Sequence, residues 1–211
     1  MCRLLYIRSN SEFTIGPHLR VFSEICENSK EYQGHGWGCA YLVQNEWKLY
    51  RNLKPIWEDD FSQFSETKLF IAHARSAFRD QDIILENNMP FFKNGFMFIF
   101  NGELHGVRIN SNGKSGAEKI FNFLLRLDQG NTLHTLQKAM KIIEKRSRYI
   151  RAFNMIMANK ESAFLASYFN EDPDYFAMYH KHTSSEVLIC SEPYPEEHDW
   201  KKIENRTIEV F

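Results

Sequence analysis

Met1-Cys2-Arg3-Leu4-Leu5, the first five residues, place a thiol directly behind a methionine and in front of a short apolar run. If Met1 is removed, Cys2 becomes the N-terminal residue and carries a nucleophile and an amine on one α-carbon. Reference pKa values of roughly 8.5 for a thiol and roughly 7.7 to 8.0 for an α-amine both lie near neutrality. The amine, directly or through a water, can then take the proton that a separate histidine would otherwise accept. The same cysteine also reads as a small hydrophobe opening a buried strand. Residues further along the chain weigh between the two.

The remaining composition sets bounds. The chain has 211 residues, 43% of them hydrophobic and 15% aromatic, enough for one domain, 1–211, with a substantial core. Lys plus Arg is 26 against 27 Asp plus Glu, a net charge of -1, so neither nucleic acid nor an anionic membrane is indicated and a small-molecule or protein partner is expected. Cys2, Cys26, Cys39 and Cys190 are widely spaced with no C-x-x-C pair, which argues against zinc and against a disulfide framework. With no secretory leader and no window approaching the ~20 apolar residues of a membrane span, a reducing, cytoplasmic location is expected.

Outward from the first stretch, 3–7 reads as a buried strand and 17–30 as a helix with Leu19, Phe22, Ile25 and Cys26 on one face. Gly34-His35-Gly36-Trp37-Gly38 leads into a hairpin, 39–43 and 47–51, and its glycines call for special backbone angles or close approach. A short helix is expected over 58–67, then a strand over 69–72 delivering His73-Ala74-Arg75-Ser76-Ala77. A second hairpin, 90–92 and 96–100, runs into Asn101-Gly102. The period then changes: Ala117, Ile120, Phe121, Leu124 and Leu125 follow helical spacing, as do Leu133, Leu136, Met140 and Ile143. Strands close the chain at 149–158, 162–169, 174–180, 186–190 and 207–211. Strands, two helices, then strands predict packed sheets with helices outside.

Acyl transfer from a cysteine needs an activated thiol, preorganised donors for the tetrahedral oxyanion, and a group that holds the substrate's own charge. The Asn101 amide and the Gly102 backbone N–H are a plausible pair of oxyanion donors, although Asn-Gly is also a strong hairpin-turn signal. Arg75, at a strand end, can grip a carboxylate with its bidentate fork or make an ordinary surface ion pair. His180-Lys181-His182 has the alternation of two metal ligands without an accompanying acid or cysteine, so no metal is called. The basic stretch 138–151 reads as the solvated face and C-terminal end of a helix.

Five short motifs in order resemble the glutaminase domain of class II glutamine amidotransferases, which are N-terminal-nucleophile hydrolases, and in particular its stand-alone subgroup. They are Met1-Cys2-Arg3-Leu4-Leu5, Gly36-Trp37-Gly38, Ile71-Ala72-His73-Ala74-Arg75, Asn88-Met89-Pro90-Phe91 with Phe100-Asn101-Gly102, and Cys190-Ser191-Glu192-Pro193. The resemblance implies an α+β, four-layer αββα sandwich. It implies Cys2 as nucleophile with its freed amine as base, Asn101 and Gly102 as the oxyanion hole, and Arg75 as ligand of a γ-glutamyl α-carboxylate. It implies no cofactor. The expected activity is hydrolysis of a γ-glutamyl or related amide through a cysteinyl thioester, with release of ammonia or an amine. An ammonia-accepting synthetase partner is compatible with this activity but not required by it.

The chain departs from the family pattern at Gly116, where the run Ser115-Gly116-Ala117-Glu118 lacks the acid that binds the substrate's α-amine. Phe100, Met89 and His35 depart as well, and together they suggest an altered, more apolar pocket suited to an N-acylated γ-glutamyl compound or one lacking a free amine. Two rival readings stay open: a catalytically silent binding or regulatory subunit of the same fold, and an acylase acting on a non-glutamyl amide.

Overall fold

A computed structural model describes residues 1–211, the side chain of Asp80 excepted. Strand β1, Arg3–Thr14, is the organising element: its first five residues are all buried, and it pairs antiparallel with one strand on each side. Its side chains alternate between two cores, as a period of two requires. Leu5 and Ile7 pack toward helix α1, Ile15–Glu27, against Leu19, Phe22, Ile25 and Cys26. Leu4 and Tyr6 point the other way, into a core shared with a second sheet.

Strands β2, Trp37–Val43, and β3, Glu46–Asn52, form the expected hairpin, and β4, Glu66–Ala74, lies between β1 and β2. The second sheet is built on β5, Phe91–Lys93, and β6, Phe96–His105. Helices α2, Gly116–Leu127, and α3, Thr132–Arg146, follow, then β7, Tyr149–Ala158, and β8, Ala163–Phe169. A one-turn helix α4, Pro173–Phe176, precedes β9, Tyr179–His182, β10, Glu186–Cys190, β11, Lys201–Lys202, and β12, Thr207–Val210. The strand orders are β11-β9-β10-β1-β4-β2-β3 and β12-β8-β7-β6-β5, every pairing antiparallel. With α1 outside the first sheet and α2 and α3 outside the second, the layers run αββα, the α+β sandwich expected from the sequence.

Two expected elements are replaced. The helix over 58–67 is instead two single 3₁₀ turns, Ile56–Glu58 and Phe61–Gln63, after which β4 has already begun at Glu66. Asp60 holds the second turn by accepting from the Ser62 N–H at 2.9 Å, and the Thr67 hydroxyl donates to the Leu42 carbonyl at 2.9 Å, fastening the chain to β2. The strand over 174–180 is α4 and then β9, because Pro173 sits in the first turn, where a missing N–H costs nothing. Boundaries also shift: β1 runs on to Thr14 and α1 starts at Ile15.

Candidate active site

Cys2 stands at the start of β1. The register pairs Arg3 with Ala74, and continuing it sets Cys2 opposite Arg75. The Cys2 thiol donates to the Ser76 carbonyl at 3.7 Å, just past the end of β4. Burial raises the thiol pKa, more than the N-terminal ammonium and Arg75 lower it, so the thiol is protonated at neutral pH. While Met1 is present the Cys2 nitrogen is an amide and cannot serve as a base. Removal of Met1 would free an amine on the carbon that already carries the thiol.

The first strand end is fastened by a cation next to Cys2. Arg3 is 1% exposed, donates Nε to Ser29 Oγ at 3.1 Å and Nη1 to the Tyr175 carbonyl at 3.2 Å, and forms an ion pair with Glu192. Its guanidinium lies 4.1 Å from the Tyr175 ring centroid. The neighbouring Ser191 exchanges hydrogen bonds with Leu4, accepting from its N–H at 2.9 Å and donating its own N–H to its carbonyl at 3.0 Å. The closing Ser191-Glu192 pair thus holds the strand that carries Cys2.

Arg75 is 9% exposed and lies among protein acceptors, not in an ordinary surface ion pair. It donates Nη1 to Asn88 Oδ1 at 3.2 Å and Nη2 to the Asp82 carbonyl at 2.8 Å. These use two of the five guanidinium donors and leave capacity for a carboxylate. Asn88 is itself anchored, its Nδ2 donating to the Asn52 carbonyl at 2.8 Å. This is why Gly36 has to be glycine: at φ 101° its added Cβ would lie 2.2 Å from Asn88 Nδ2 and 2.6 Å from the Asn52 carbonyl. His35, beside it, accepts from the Ala77 N–H at 2.9 Å through Nδ1 and so holds the segment after Arg75.

Asn101 and Gly102 lie inside β6, paired with Asn154 and Phe153, and not in a turn, so the turn reading of this dipeptide falls. Glycine is required at 102 by close approach, since a Cβ there would meet the Phe100 ring at 2.2 Å and the Ala152 carbonyl at 2.7 Å. Asn101 is 1% exposed, and among the described residues its side-chain oxygen has no hydrogen-bond partner. Beside it Asn154 donates to the Phe176 carbonyl at 2.7 Å and accepts from Ser167 at 2.9 Å. Helix α4 therefore ties the two sheets at the Cys2 end: Tyr175 takes Arg3 of β1 and Phe176 takes Asn154 of β7.

The N-terminus is joined to β6, the strand of Asn101 and Gly102, by a second route. The Met1 ammonium pairs with Glu31, and Arg151 donates to Glu31 Oε1 at 3.1 Å and to Glu103 Oε2, on β6, at 3.1 Å. Burial works against ionisation of Glu31, but the Met1 ammonium and Arg151 outweigh it and hold the carboxyl below its ordinary value. Gly116 is exposed at the first turn of α2, where an added Cβ would meet nothing within 4 Å. The Ser115 hydroxyl accepts from the Glu118 N–H at 3.2 Å, and Glu118 accepts from the Lys114 N–H at 2.6 Å, so Glu118 serves the helix cap. Among the described residues no group of three or more His, Cys, Asp or Glu side chains is placed to hold a metal ion, and the His180 ring meets Phe211 edge-on, centroids 5.4 Å apart.

His73 is fully buried on β4, with the Phe100 backbone as a hydrogen-bond partner of its ring. Burial first, and the Arg75 guanidinium second, lower its pKa from 6.5 to about 3. Between these values the unfolded chain takes up a proton that the folded chain refuses, so stability falls as the pH drops through that window. His73 alone is expected to remove about 2 kcal/mol between pH 7 and pH 5. Urea denaturation at both pH values checks this: His73→Gln should lose that much less than the native chain, and equal losses would place the sensitivity elsewhere.

Similarity to solved structures fits this geometry. A glutamine aminotransferase class-II domain protein of Silicibacter pomeroyi matches with a TM-score of 0.66 at 15% identity, over 99% of this chain and 94% of that one. A predicted glutamine amidotransferase of Pseudomonas aeruginosa matches with 0.63 at 16% identity, over 100% and 97%. The fold is that of the class II glutamine amidotransferase domains. The glutamine phosphoribosylpyrophosphate amidotransferase of B. subtilis, complexed with ADP and GMP, matches with 0.62 at 15% identity over 90% of this chain and 42% of its own. No protein-family model and no curated protein sequence matches the chain.

Within this class II fold the structure brings Cys2 together with Arg75 and Ser76. The contacts of α4 link that end of β1 to Asn154 of β7, beside Asn101, and those of Glu31 and Arg151 link it to Glu103 of β6, the strand of Asn101 and Gly102. It leaves Gly116 and the His180–His182 pair outside these contacts. The sequence reading did not single out Glu31, Gln33, Arg151 or Tyr175. The signal for Arg3 was present: a cation directly before a run of buried apolar residues needs a partner.

Proposed function

We propose that the chain is a cysteine-dependent amidohydrolase that cleaves a γ-glutamyl or related amide. The observation that carries this reading is the placement of Cys2 opposite Arg75, a buried guanidinium with donors to spare, at the start of the first strand of a class II amidotransferase fold. With Met1 removed, Cys2 Sγ attacks the amide carbonyl carbon while its proton passes to the Cys2 α-amine. The Asn101 amide and the Gly102 N–H donate to the oxyanion. The C–N bond then breaks, the α-amine returns the proton to the departing nitrogen, and a thioester remains on Cys2. Water attacks the thioester and releases the acid and the thiol. Arg75 holds the carboxylate of the acyl portion throughout.

The test is the release of acid from L-glutamine and from γ-glutamyl amides by Met1-free protein, native and with Arg75→Ala. Loss of a bidentate carboxylate partner should lower kcat/KM by about 10²-fold or more, mainly through KM. The same loss should not be seen with amides that bear no carboxylate. Equal effects on both substrate kinds would favour an acylase for a non-glutamyl amide. The exposed Gly116, with no acid, favours the reading of a catalytically silent subunit, and that reading would stand if no amide were cleaved.

A further inference from the structure

Two neutral acceptors aim the Arg75 fork, and both are fixed from behind. The Asp82 carbonyl, which takes Nη2, also accepts from Asn87 Nδ2 at 3.1 Å. Asn88, which takes Nη1, is 0% exposed, and its backbone N–H donates to the Leu85 carbonyl at 3.1 Å. The other end of its amide donates to the Asn52 carbonyl. Asn52 in turn donates Nδ2 to Asp59 Oδ2 at 2.9 Å and to the Tyr50 hydroxyl at 3.0 Å. Asp59 is held by the Trp37 indole N–H and the Tyr50 hydroxyl, each at 2.8 Å. A line of contacts thus runs from Asp59 through Asn52 and Asn88 to Arg75.

The amide at 88 is the informative link. Its oxygen faces a guanidinium and its nitrogen faces a carbonyl, so one end has to accept and the other has to donate, which an amide can do and a carboxylate cannot. A carboxylate at this position would bind Arg75 more strongly, but it would turn an oxygen onto the Asn52 carbonyl and neutralise the cation. With asparagine, Arg75 is oriented without being neutralised. Burial lowers the Arg75 pKa more than Cys2 and Asp82 raise it, as for a guanidinium with too little negative charge around it. We propose that Asn88 is the positioning residue for carboxylate recognition, fixing the direction of the Arg75 fork while leaving its charge free for the carboxylate of the acyl portion. This deepens the amidohydrolase reading and rests on it for the term acyl portion; the recognition of a carboxylate can be measured whether or not hydrolysis occurs.

The test compares Asn88→Asp with Asn88→Ala in Met1-free protein. If Asn88 were structural support only, aspartate, which keeps an acceptor for Arg75, should do less harm than alanine. The proposal reverses that order, because a carboxylate at 88 occupies Arg75 and repels a second one. L-Glutamate and N-acetyl-L-glutamate serve as probes and should slow the alkylation of Cys2 by iodoacetamide. Asn88→Asp should raise the half-protecting concentration at least tenfold and Asn88→Ala severalfold, with thermal melts confirming that both variants fold. In kinetics, the kcat/KM ratio of L-glutamine over 4-aminobutanamide, the same amide without its α-carboxylate, should fall at least tenfold in Asn88→Asp, through KM and not through kcat. Absence of protection by either acid, or a smaller loss in Asn88→Asp than in Asn88→Ala, overturns the proposal. If the aspartate variant does not fold, Asn88→Ala decides alone: protection weakened severalfold supports the proposal and unchanged protection overturns it. Weakened protection in the stated order without hydrolysis of any γ-glutamyl compound would sink the amidohydrolase reading and leave Asn88 in its role, whereas hydrolysis of L-glutamine with an unmoved ratio in both variants would do the reverse.

Discussion

Cys2→Ala removes amide hydrolysis by about 10³-fold or more while the protein keeps its fold. The kinetic loss follows from the mechanism, in which no other group forms the covalent intermediate. The stability expectation follows from the surroundings. Cys2 is half-buried and its one polar contact is a long thiol bond to the Ser76 carbonyl, so truncation to alanine should cost within about 1 kcal/mol. Circular dichroism melts and acid-release assays on the same preparation separate the two effects. Cys2→Ala activity within tenfold of native would mean that hydrolysis does not pass through this thiol.

Asn101→Ala is the second large effect, and its two readouts point in opposite directions. Loss of one oxyanion donor typically lowers kcat by about 10²–10³-fold, with KM little changed, since the bond strengthens in the transition state. Stability should hardly suffer. The Asn101 oxygen is buried without a partner among the described residues, so the native side chain already carries a desolvation penalty that alanine relieves, against a small cavity. A kcat loss beyond a hundredfold in a variant whose melting temperature is unchanged or raised is the expected pair of results. A variant that melts well below native and keeps its kcat would make Asn101 a structural residue.

The parts of this fold that were legible in the sequence are those set by backbone chemistry. Gly36 and Gly102 announce close approaches that only glycine permits, and the largely apolar 3–7 run announces the buried strand. The 3₁₀ turns at 56–63 were not legible, because Asp60 and Ser62 settle that stretch by local hydrogen bonds that compete with a helix. Nor was α4, whose place depends on Arg3 and Asn154, far away in sequence, taking its carbonyls. The set of contacts around Met1 is the extreme case. Glu31 and Gln33 come from the loop after α1, Arg151 from β7 and Tyr175 from α4, and no local pattern links them. Arg75 was legible as a residue but not as a held one, since Asn88 and the Asp82 carbonyl reach it from a loop without periodic pattern.

The central claim is that Cys2 acts as an N-terminal nucleophile, and the intact mass of untagged protein purified from cells tests it most directly, taken before and after exposure to a glutamine-like electrophile. The account predicts a mass short by Met1 that gains one adduct, located on Cys2 by fragmentation. Retained Met1 with no adduct would contradict it, because the Cys2 nitrogen would then be an amide and the thiol, raised by burial, would have no base.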